Sequence, residues 1–215
     1  MTVAREKRAR ITSKVLEQAC YELAQDCPHM HNAFARTGVP PLRRSKPGFA
    51  TLARLVCEQS ISLAAADAIL SRLETRTGGL TPENVMSLGA AAIQSVGLTR
   101  NKAACIAELA SATLDGRLEL QRLARMDDDE VLKTLTQFKG IGQWTGEIYL
   151  LFALMRPDVW PAGDVAIVIA VQRLLDRPER PGPKEAREIG ERWRPWRSVA
   201  ARILWRYYHL THKDQ

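Results

Sequence analysis

The chain has few cysteines and no long apolar run, and each shortage excludes a class of protein. Its four cysteines, Cys20, Cys27, Cys57 and Cys105, match the ligand spacing of neither a zinc site nor an iron–sulfur cluster. No apolar run approaches the roughly 20 residues of a membrane span, and the basic N-terminus lacks the apolar stretch of a signal peptide. We therefore expect an intracellular, reducing location, the cytoplasm, with association with the nucleoid if the source is bacterial and none with a membrane.

Strand patterns are also scarce, because no sustained alternation of apolar and polar residues is bounded by hairpin turns. Apolar residues recur instead at helical spacing between short Pro- and Gly-containing connectors, which predicts an all-α fold without internal repeats. Ser13 and Thr81 are predicted helix caps, and Cys27 with Pro28 is predicted to end the first helix. The main predicted helices cover residues 14–25, 49–60, 63–77, 101–114, 143–155, 164–176 and 198–210.

Size and charge point to a basic protein with a substantial core. The 215 residues suit one large domain or two small intertwined ones, and 46% of them are hydrophobic. Lys and Arg number 31 against 24 acidic residues, a net charge of +7. An excess of this sign favours a polyanionic partner such as nucleic acid, although many basic proteins bind none.

The most informative stretch is a glycine-containing turn between two apolar helical segments. Lys139, Gly140, Ile141 and Gly142 follow one predicted helix and precede another that opens near Trp144. Two glycines one residue apart permit a sharp reversal with positive φ. They also leave amides uncovered at a helix N-terminus, where an anion is favoured. On the glycines alone, an ordinary helix–turn–helix corner and a phosphate-binding hairpin are about equally supported.

Asp164 is the second candidate, twenty residues beyond Trp144 in a loop shaped by Pro161 and Gly163. An Asp before an apolar run is a good N-cap in its own right. Capping and catalysis are compatible, since a cap fixes the position of the carboxylate. The sequence therefore leaves a structural and a catalytic role for Asp164 open.

Four separated motifs, in the same order, resemble the helix-hairpin-helix (HhH-GPD) DNA glycosylases. They are FATLARLVCEQSIS at 49–62, IQSVGLTRNK at 93–102, LTQFKGIGQWT at 135–145 with Asp164 beyond it, and ERWRPWRSVA at 191–200 continuing to Trp205. The resemblance covers roughly residues 40–210 and is greatest to the 3-methyladenine DNA glycosylase II branch. It implies two helical subdomains with the active-site cleft between them: 1–45 plus 156–215, and 46–155 with the helix-hairpin-helix at 132–155.

The resemblance implies an enzyme that flips an alkylated base of the 3-methyladenine and 7-methylguanine class out of double-stranded DNA and excises it. The implied catalytic residue is Asp164, whose carboxylate stabilises the cationic sugar, orients water, or both. The β-sheet domain that some relatives carry is expected to be absent, and the enzyme is expected to act as a monomer. The implied DNA-contacting residues are Lys139, Gly140, Gly142, Thr145 and Arg197, with the helix break at Gln59, Ser60 and Ile61 supplying the wedge. The alternative from pattern alone, somewhat less favoured, is that Gln59 only caps a helix end.

Trp144, Trp205 and Ile148 fall where the family lines its base pocket. The face of a Trp attracts an alkylated, cationic base, although a Trp in a helical protein is more often a core residue. Relatives that also cleave the strand carry a lysine nucleophile at the position of Trp144, so a hydrolase without lyase activity is expected. Ile148 replaces a tyrosine that can occur there, with Tyr149 expected to face elsewhere.

No cofactor is expected to be required. The resemblance implies a structural monovalent cation, Na⁺ or K⁺, held by the backbone carbonyls of Thr136, Phe138 and Ile141. Lys139 replaces the family's usual proline, and Gly163 replaces an acid that can precede the catalytic Asp. Two rivals stay open at this point: a glycosylase for an oxidised or deaminated base, and a non-catalytic DNA-binding module in which Asp164 is only a cap.

Overall fold

The computed structural model describes residues 10–212, and every regular element within them is helical. The charged segment 1–12 was expected to be frayed or weakly helical. Its positions 1–9 lie outside the described residues. The helices are α1 Ser13–Asp26, α2 Pro28–Thr37, α3 Phe49–Glu58, α4 Leu63–Thr77, α5 Pro82–Leu88, α6 Ala90–Gln94, α7 Arg100–Leu114, α8 Leu120–Leu123, α9 Asp128–Thr136, α10 Gln143–Phe152, α11 Val165–Leu174, α12 Pro183–Gly190 and α13 Arg197–His212. A 3-10 turn, Glu191–Trp193, follows α12.

The chain forms two compact units. Unit 1 contains Met1–Arg44 and Met155–Gln215, and unit 2 contains Ser45–Leu154. The all-α prediction is confirmed for residues 10–212. No helix in that range combines the length and the apolar character that crossing a bilayer requires.

Unit 1 is built around α13, which packs against α1, α2 and α11. Beside it, the indole of Trp193 is fully buried and meets the ring of Trp160 edge-on at 4.9 Å between centroids. The Nε1 of Trp160 donates to the carbonyl of Ala186 at 2.8 Å. A Cβ on Gly190 would lie only 2.4 Å from the Trp160 ring, so this close packing requires a glycine. These contacts fix the segment that precedes Asp164.

Unit 2 has α7 at its centre, in contact with α3, α5 and α6, while α10 packs on α3 and α9. The closest approach of α9 and α10 is at Gly146, where an added Cβ would lie 2.8 Å from Cδ2 of Leu132. α9 begins with a complete capping box, in which Asp127 accepts the Glu130 amide and Glu130 accepts the Asp127 amide. The acids at 127–130 thus start this helix as the sequence predicts.

Several predicted boundaries are wrong. Helix α2 begins at Pro28, which was expected to end a helix, because proline is well suited to the first helical position. The cap of α1 is Thr12 and not Ser13, since the Thr12 hydroxyl accepts the Val15 amide at 3.2 Å. Helix α10 ends at Phe152 and not near Met155, where φ is +57°. The short helix α8 was not predicted.

Candidate functional site

The turn between α9 and α10, residues 137–142, is called here the hairpin turn. It is closed by a 2.9 Å bond from the Ile141 amide to the Phe138 carbonyl. Gly140 has φ +102°, and a Cβ added there would lie 2.9 Å from Sγ of Cys105 and 3.0 Å from its Cβ. Gly140 is therefore required for both its backbone conformation and its contact with α7.

The second glycine differs from the prediction, because Gly142 does not use a positive φ. Its φ is −92°, and a Cβ there would meet nothing within 4 Å. Gly142 is the N-cap of α10 and makes no side-chain cap, so the first-turn amides of α10 receive no acceptor from it. With the exposed Lys139 three positions earlier, this helix end suits an anion such as a backbone phosphate.

Gln59 is tied to the hairpin turn within unit 2. Its Nε2 donates to the Gly140 carbonyl and to the Thr145 hydroxyl, both at 2.9 Å. This half-buried amide is therefore held against the hairpin turn, and the wedge role of the Gln59–Ser60–Ile61 break stays a prediction. Ser60 and Ile61, in contrast, are exposed. Thr145 is 2% exposed as a whole residue and its hydroxyl accepts the Gln59 amide, so its contact with DNA stays a prediction.

Asp164 is the N-cap of α11, and two donors converge on one of its oxygens. Its Oδ1 accepts the Ile167 amide at 3.0 Å and the Nε1 of Trp205 at 3.1 Å. Trp205 lies on α13, which packs directly on α11. The carboxylate is half-buried, and the neighbouring Val165 is 65% exposed. The structure thus brings together two residues predicted separately, with the carboxylate fixed in orientation at a surface of unit 1.

Trp144 and Ile148 share one face of α10, four residues apart. Trp144 is half-buried and Ile148 is 5% exposed. Tyr149 points elsewhere, as expected, because its hydroxyl accepts the Gly48 amide at 3.1 Å. Burial raises the pKa of this hydroxyl to about 12. Tyr149 therefore anchors the start of unit 2 and offers no pocket hydroxyl.

Arg197, a predicted DNA contact, is held by two acids of its own unit. Its guanidinium pairs with the Asp158 carboxylate at 2.7 Å and the Glu191 carboxylate at 2.7 Å, and its side chain is 14% exposed. A guanidinium held by two carboxylates of its own chain has little capacity left for DNA. This geometry favours a structural role for Arg197.

The sequence also missed Lys102, whose Nζ donates to the carbonyl of Cys57 at 2.9 Å and to that of Gln59 at 2.5 Å. No local sequence pattern predicts these hydrogen bonds, because Lys102 is 45 positions from Cys57 and 43 positions from Gln59. Within residues 10–212, no group of three or more His, Cys, Asp or Glu side chains is arranged to hold a metal ion.

An all-helical chain with a glycine turn between α9 and α10 and a capping Asp beyond it has the architecture of the helix-hairpin-helix proteins. The family model described as "HhH-GPD superfamily base excision DNA repair protein" matches residues 53–195. The chain therefore belongs to this superfamily of base excision DNA repair proteins, which confirms the family inferred from the four motifs.

Two curated relatives and one solved structure show the extent of the similarity. DNA-3-methyladenine glycosylase 1 of Schizosaccharomyces pombe is 32% identical over 170 residues, which cover 77% of this chain and 75% of that protein. DNA-3-methyladenine glycosylase 2 of Escherichia coli is 32% identical over 127 residues, which cover 58% of this chain and 41% of that protein. The structure of S. pombe 3-methyladenine DNA glycosylase in complex with abasic DNA matches with a TM-score of 0.81 at 30% identity, covering 87% of this chain and 95% of that chain.

Proposed function

We propose that the protein is a monofunctional DNA glycosylase that hydrolytically excises alkylated, positively charged bases from double-stranded DNA. Membership of the base excision repair superfamily supports a glycosylase. The relatives named 3-methyladenine glycosylases support the class of lesion. The single observation that carries the proposal is the Asp164 carboxylate, which is fixed in orientation by the Ile167 amide and the Trp205 indole.

Asp164 would act on the sugar of the damaged nucleotide. Breaking the bond between base and sugar develops positive charge on the sugar, as in glycoside hydrolysis. A carboxylate whose orientation is fixed before the reaction stabilises that charge without reorganising. The two oxygens of the Asp164 carboxylate can also orient the water that attacks the sugar. The two hydrogen bonds to Oδ1 therefore contribute orientation, which is the property that this chemistry needs.

The charge of the lesion explains why one carboxylate is enough. A base such as 3-methyladenine or 7-methylguanine already carries positive charge and leaves without strong acid catalysis. Trp144 would attract such a base through its ring face. The apolar Ile148 on the same face of α10 would line the pocket without adding a hydroxyl. The pocket would therefore recognise the base by charge and shape.

Unit 2 would bind the DNA. Amides in the first turn of α10 and the exposed Lys139 would contact backbone phosphates without reading the sequence. Ser60 and Ile61 are exposed next to the Gln59 contact with the hairpin turn, and they would fill the gap that the flipped nucleotide leaves. The net charge of +7 would supply additional affinity that does not depend on sequence.

Four further properties belong to the same proposal. Trp144 has no amine, so the enzyme would not form a Schiff base with the sugar and would show no lyase activity. The carbonyls of Thr136, Phe138 and Ile141 are neutral, hard donors at the end of α9, which suits Na⁺ or K⁺ as a structural ion. We place the enzyme in the cytoplasm as a monomer, and the buried thiols of Cys20, Cys57 and Cys105 are consistent with a reducing compartment.

The test is a panel of DNA substrates at equal concentrations. It contains methylated DNA for the release of 3-methyladenine and 7-methylguanine, and single-lesion duplexes with uncharged oxidised or deaminated bases. Release of the methylated bases alone is the expected result. Preference for uncharged lesions would reject the cationic-base argument, and tight DNA binding without release of any base would indicate a binding module.

A further inference from the structure

The turn that joins α3 to α4, residues 59–62 and called here the insertion turn, is held from two sides within unit 2. On one side, Lys102 of α7 donates from Nζ to the carbonyls of Cys57 and Gln59 at the end of α3. Helix ends carry unpaired carbonyls and partial negative charge, so an ammonium group there stabilises the helix end. Lys102 therefore acts as a C-terminal cap that comes from another helix.

On the other side, the Gln59 side chain donates to Gly140 and Thr145 at the hairpin turn. Gln59 thus accepts a hydrogen bond from Lys102 on its backbone oxygen and donates to the hairpin turn from its side-chain nitrogen. The helix that carries Lys102 also carries Cys105, one turn later, whose sulfur would be only 2.9 Å from a Cβ on Gly140. Helix α7 therefore contacts both the insertion turn and the hairpin turn.

The held segment has an unfavourable conformation and an exposed apolar surface. Ser60 has φ +57°, which L side chains rarely adopt and which persists only when surrounding contacts enforce it. Beyond it, Ile61 is 38% exposed and Leu63 is 63% exposed. Ser62 then starts α4 by accepting the Ala65 amide at 3.2 Å. Without a fixed end to α3, the direction in which these side chains project would not be set.

We propose that Lys102 is a positioning residue for strand insertion, and that it sets the insertion turn against the hairpin turn before DNA is bound. The inference rests on the proposed function, because it gives a role to the same DNA-binding surface. Lys102 contacts neither the lesion nor the sugar in this account. Its effect is exerted through Gln59, and it is needed only when a base must be unstacked from a duplex.

The test compares Lys102→Met with Lys102→Arg and with Lys184→Met, which removes one exposed positive charge from α12. The first assay measures 2-aminopurine fluorescence beside a tetrahydrofuran abasic site in duplex DNA at saturating protein. It requires no excision, so it tests the inference even if the proposed chemistry fails. The second assay measures the single-turnover rate constant for release of 7-methylguanine from duplex DNA and from single-stranded DNA.

For Lys102→Met we expect a smaller fluorescence rise and a duplex rate constant lower by roughly tenfold to a hundredfold, because small misplacements of a positioning element have effects of that size. On single-stranded DNA the rate constant should stay within about twofold of the wild-type value, since nothing has to be unstacked. Lys102→Arg should recover part of the duplex rate, and Lys184→Met should behave as the wild type in both assays.

Equal losses on duplex and single-stranded DNA would overturn the inference and indicate either a general defect or a direct phosphate contact. An unchanged fluorescence rise in Lys102→Met, with DNA saturation verified by anisotropy, would overturn it as well. If Lys102→Met unfolds at the assay temperature, Lys102→Arg serves as the deciding variant. It retains the charge but presents a planar guanidinium to two carbonyls arranged for an ammonium group.

Discussion

The indole Nε1 of Trp205 donates to Oδ1 of Asp164 at 3.1 Å, and the same oxygen accepts the Ile167 amide at 3.0 Å. Trp205 was expected as a wall of the base pocket, and the structure gives its ring a second role. The bond links α13 to the N-terminus of α11 and sets the direction of the carboxylate. A residue on one helix thereby orients the proposed catalytic group on another.

Trp205→Phe tests this relationship, because it keeps an aromatic ring and removes the Nε1 donor together with part of the ring volume, a volume loss that the control variant shares. We expect the excision rate constant to fall by about tenfold or more, since a hydrogen bond to a charged group is worth about 1.5–3 kcal/mol. The matched control is Trp196→Phe, which removes a 2.6 Å bond from another Trp of unit 1 to the Glu22 carboxylate. Single-turnover excision and thermal unfolding should be measured for both. Equal activity losses in the two variants would refute the orienting role.

Gly140→Ala and Gly142→Ala separate the two glycines of the hairpin turn. Alanine at 140 must adopt φ +102° and place a Cβ 2.9 Å from Cys105 Sγ, so we expect a loss of about 1–3 kcal/mol in the free energy of unfolding. Alanine at 142 meets no protein atom within 4 Å, so it should cost less than about 1 kcal/mol, the difference between glycine and alanine at an N-cap. Urea unfolding measures both values. If Gly142→Ala loses affinity for abasic DNA at unchanged stability, the DNA backbone approaches closely at that point.

Lys139→Gln and Arg197→Gln should give opposite results, although each removes one positive charge. Lys139 is exposed at the hairpin turn, so its loss should weaken binding to abasic DNA and lower the salt slope of affinity by about 1. Arg197 is paired with Asp158 and Glu191, so its loss should cost about 1–3 kcal/mol of stability and leave affinity unchanged. Fluorescence anisotropy at several salt concentrations, with urea unfolding, checks the pair. A loss of affinity in Arg197→Gln at unchanged stability would restore Arg197 to the DNA-contacting residues.

The buried thiols predict how stability depends on pH. Burial raises the pKa of the Cys20 thiol to about 12 and that of Cys57 and of Cys105 to about 11. The unfolded chain ionises these thiols near pH 8.5, so it binds fewer protons than the folded chain at higher pH. Their contribution to stability is therefore complete below about pH 8 and is lost as the pH rises to the folded-state pKa, about 11 for Cys57 and Cys105 and about 12 for Cys20.

Cys20→Ala checks the sign of this effect, because Cys20 is fully buried in unit 1. The free energy of unfolding of this variant should fall less steeply above pH 9 than that of the wild type. The difference should approach about 1.4 kcal/mol per pH unit at most. Parallel curves for the two proteins would show that the Cys20 thiol is not protected from ionisation.

Local patterns predicted the helices well, because caps and hydrophobic periodicity act over a few residues. Thr81 with Pro82 and the acids from Asp127 to Glu130 start helices as expected. Pro28 shows the limit of such patterns, since a proline after a helix can end it and begin the next one at once. The choice between the two depends on packing against α1, which no local pattern contains.

The candidate site was predictable residue by residue but not as a set of contacts. The motifs predicted Asp164 and Trp205 as site residues. They did not predict the 3.1 Å hydrogen bond between the two, whose partners are 41 positions apart. Gln59 and Thr145 are 86 positions apart in the chain. The hydrogen bond between them holds the side chain of Gln59, a predicted wedge residue, against the start of α10. Pairings of this kind are set by how helices pack, so they become visible only in the folded chain.

The most direct test of the account is the single-turnover release of 7-methylguanine from duplex DNA by wild type and Asp164→Asn. Asparagine is nearly isosteric and also caps helices well, so α11 should remain intact. The matched control is Asp127→Asn, which replaces the equivalent N-cap carboxylate of α9. We predict that Asp164→Asn lowers the rate constant by roughly 10²–10³-fold, the size expected for loss of an oriented charge at the reacting sugar. A rate constant within about twofold of the wild type, with Asp127→Asn equally active, would contradict the account.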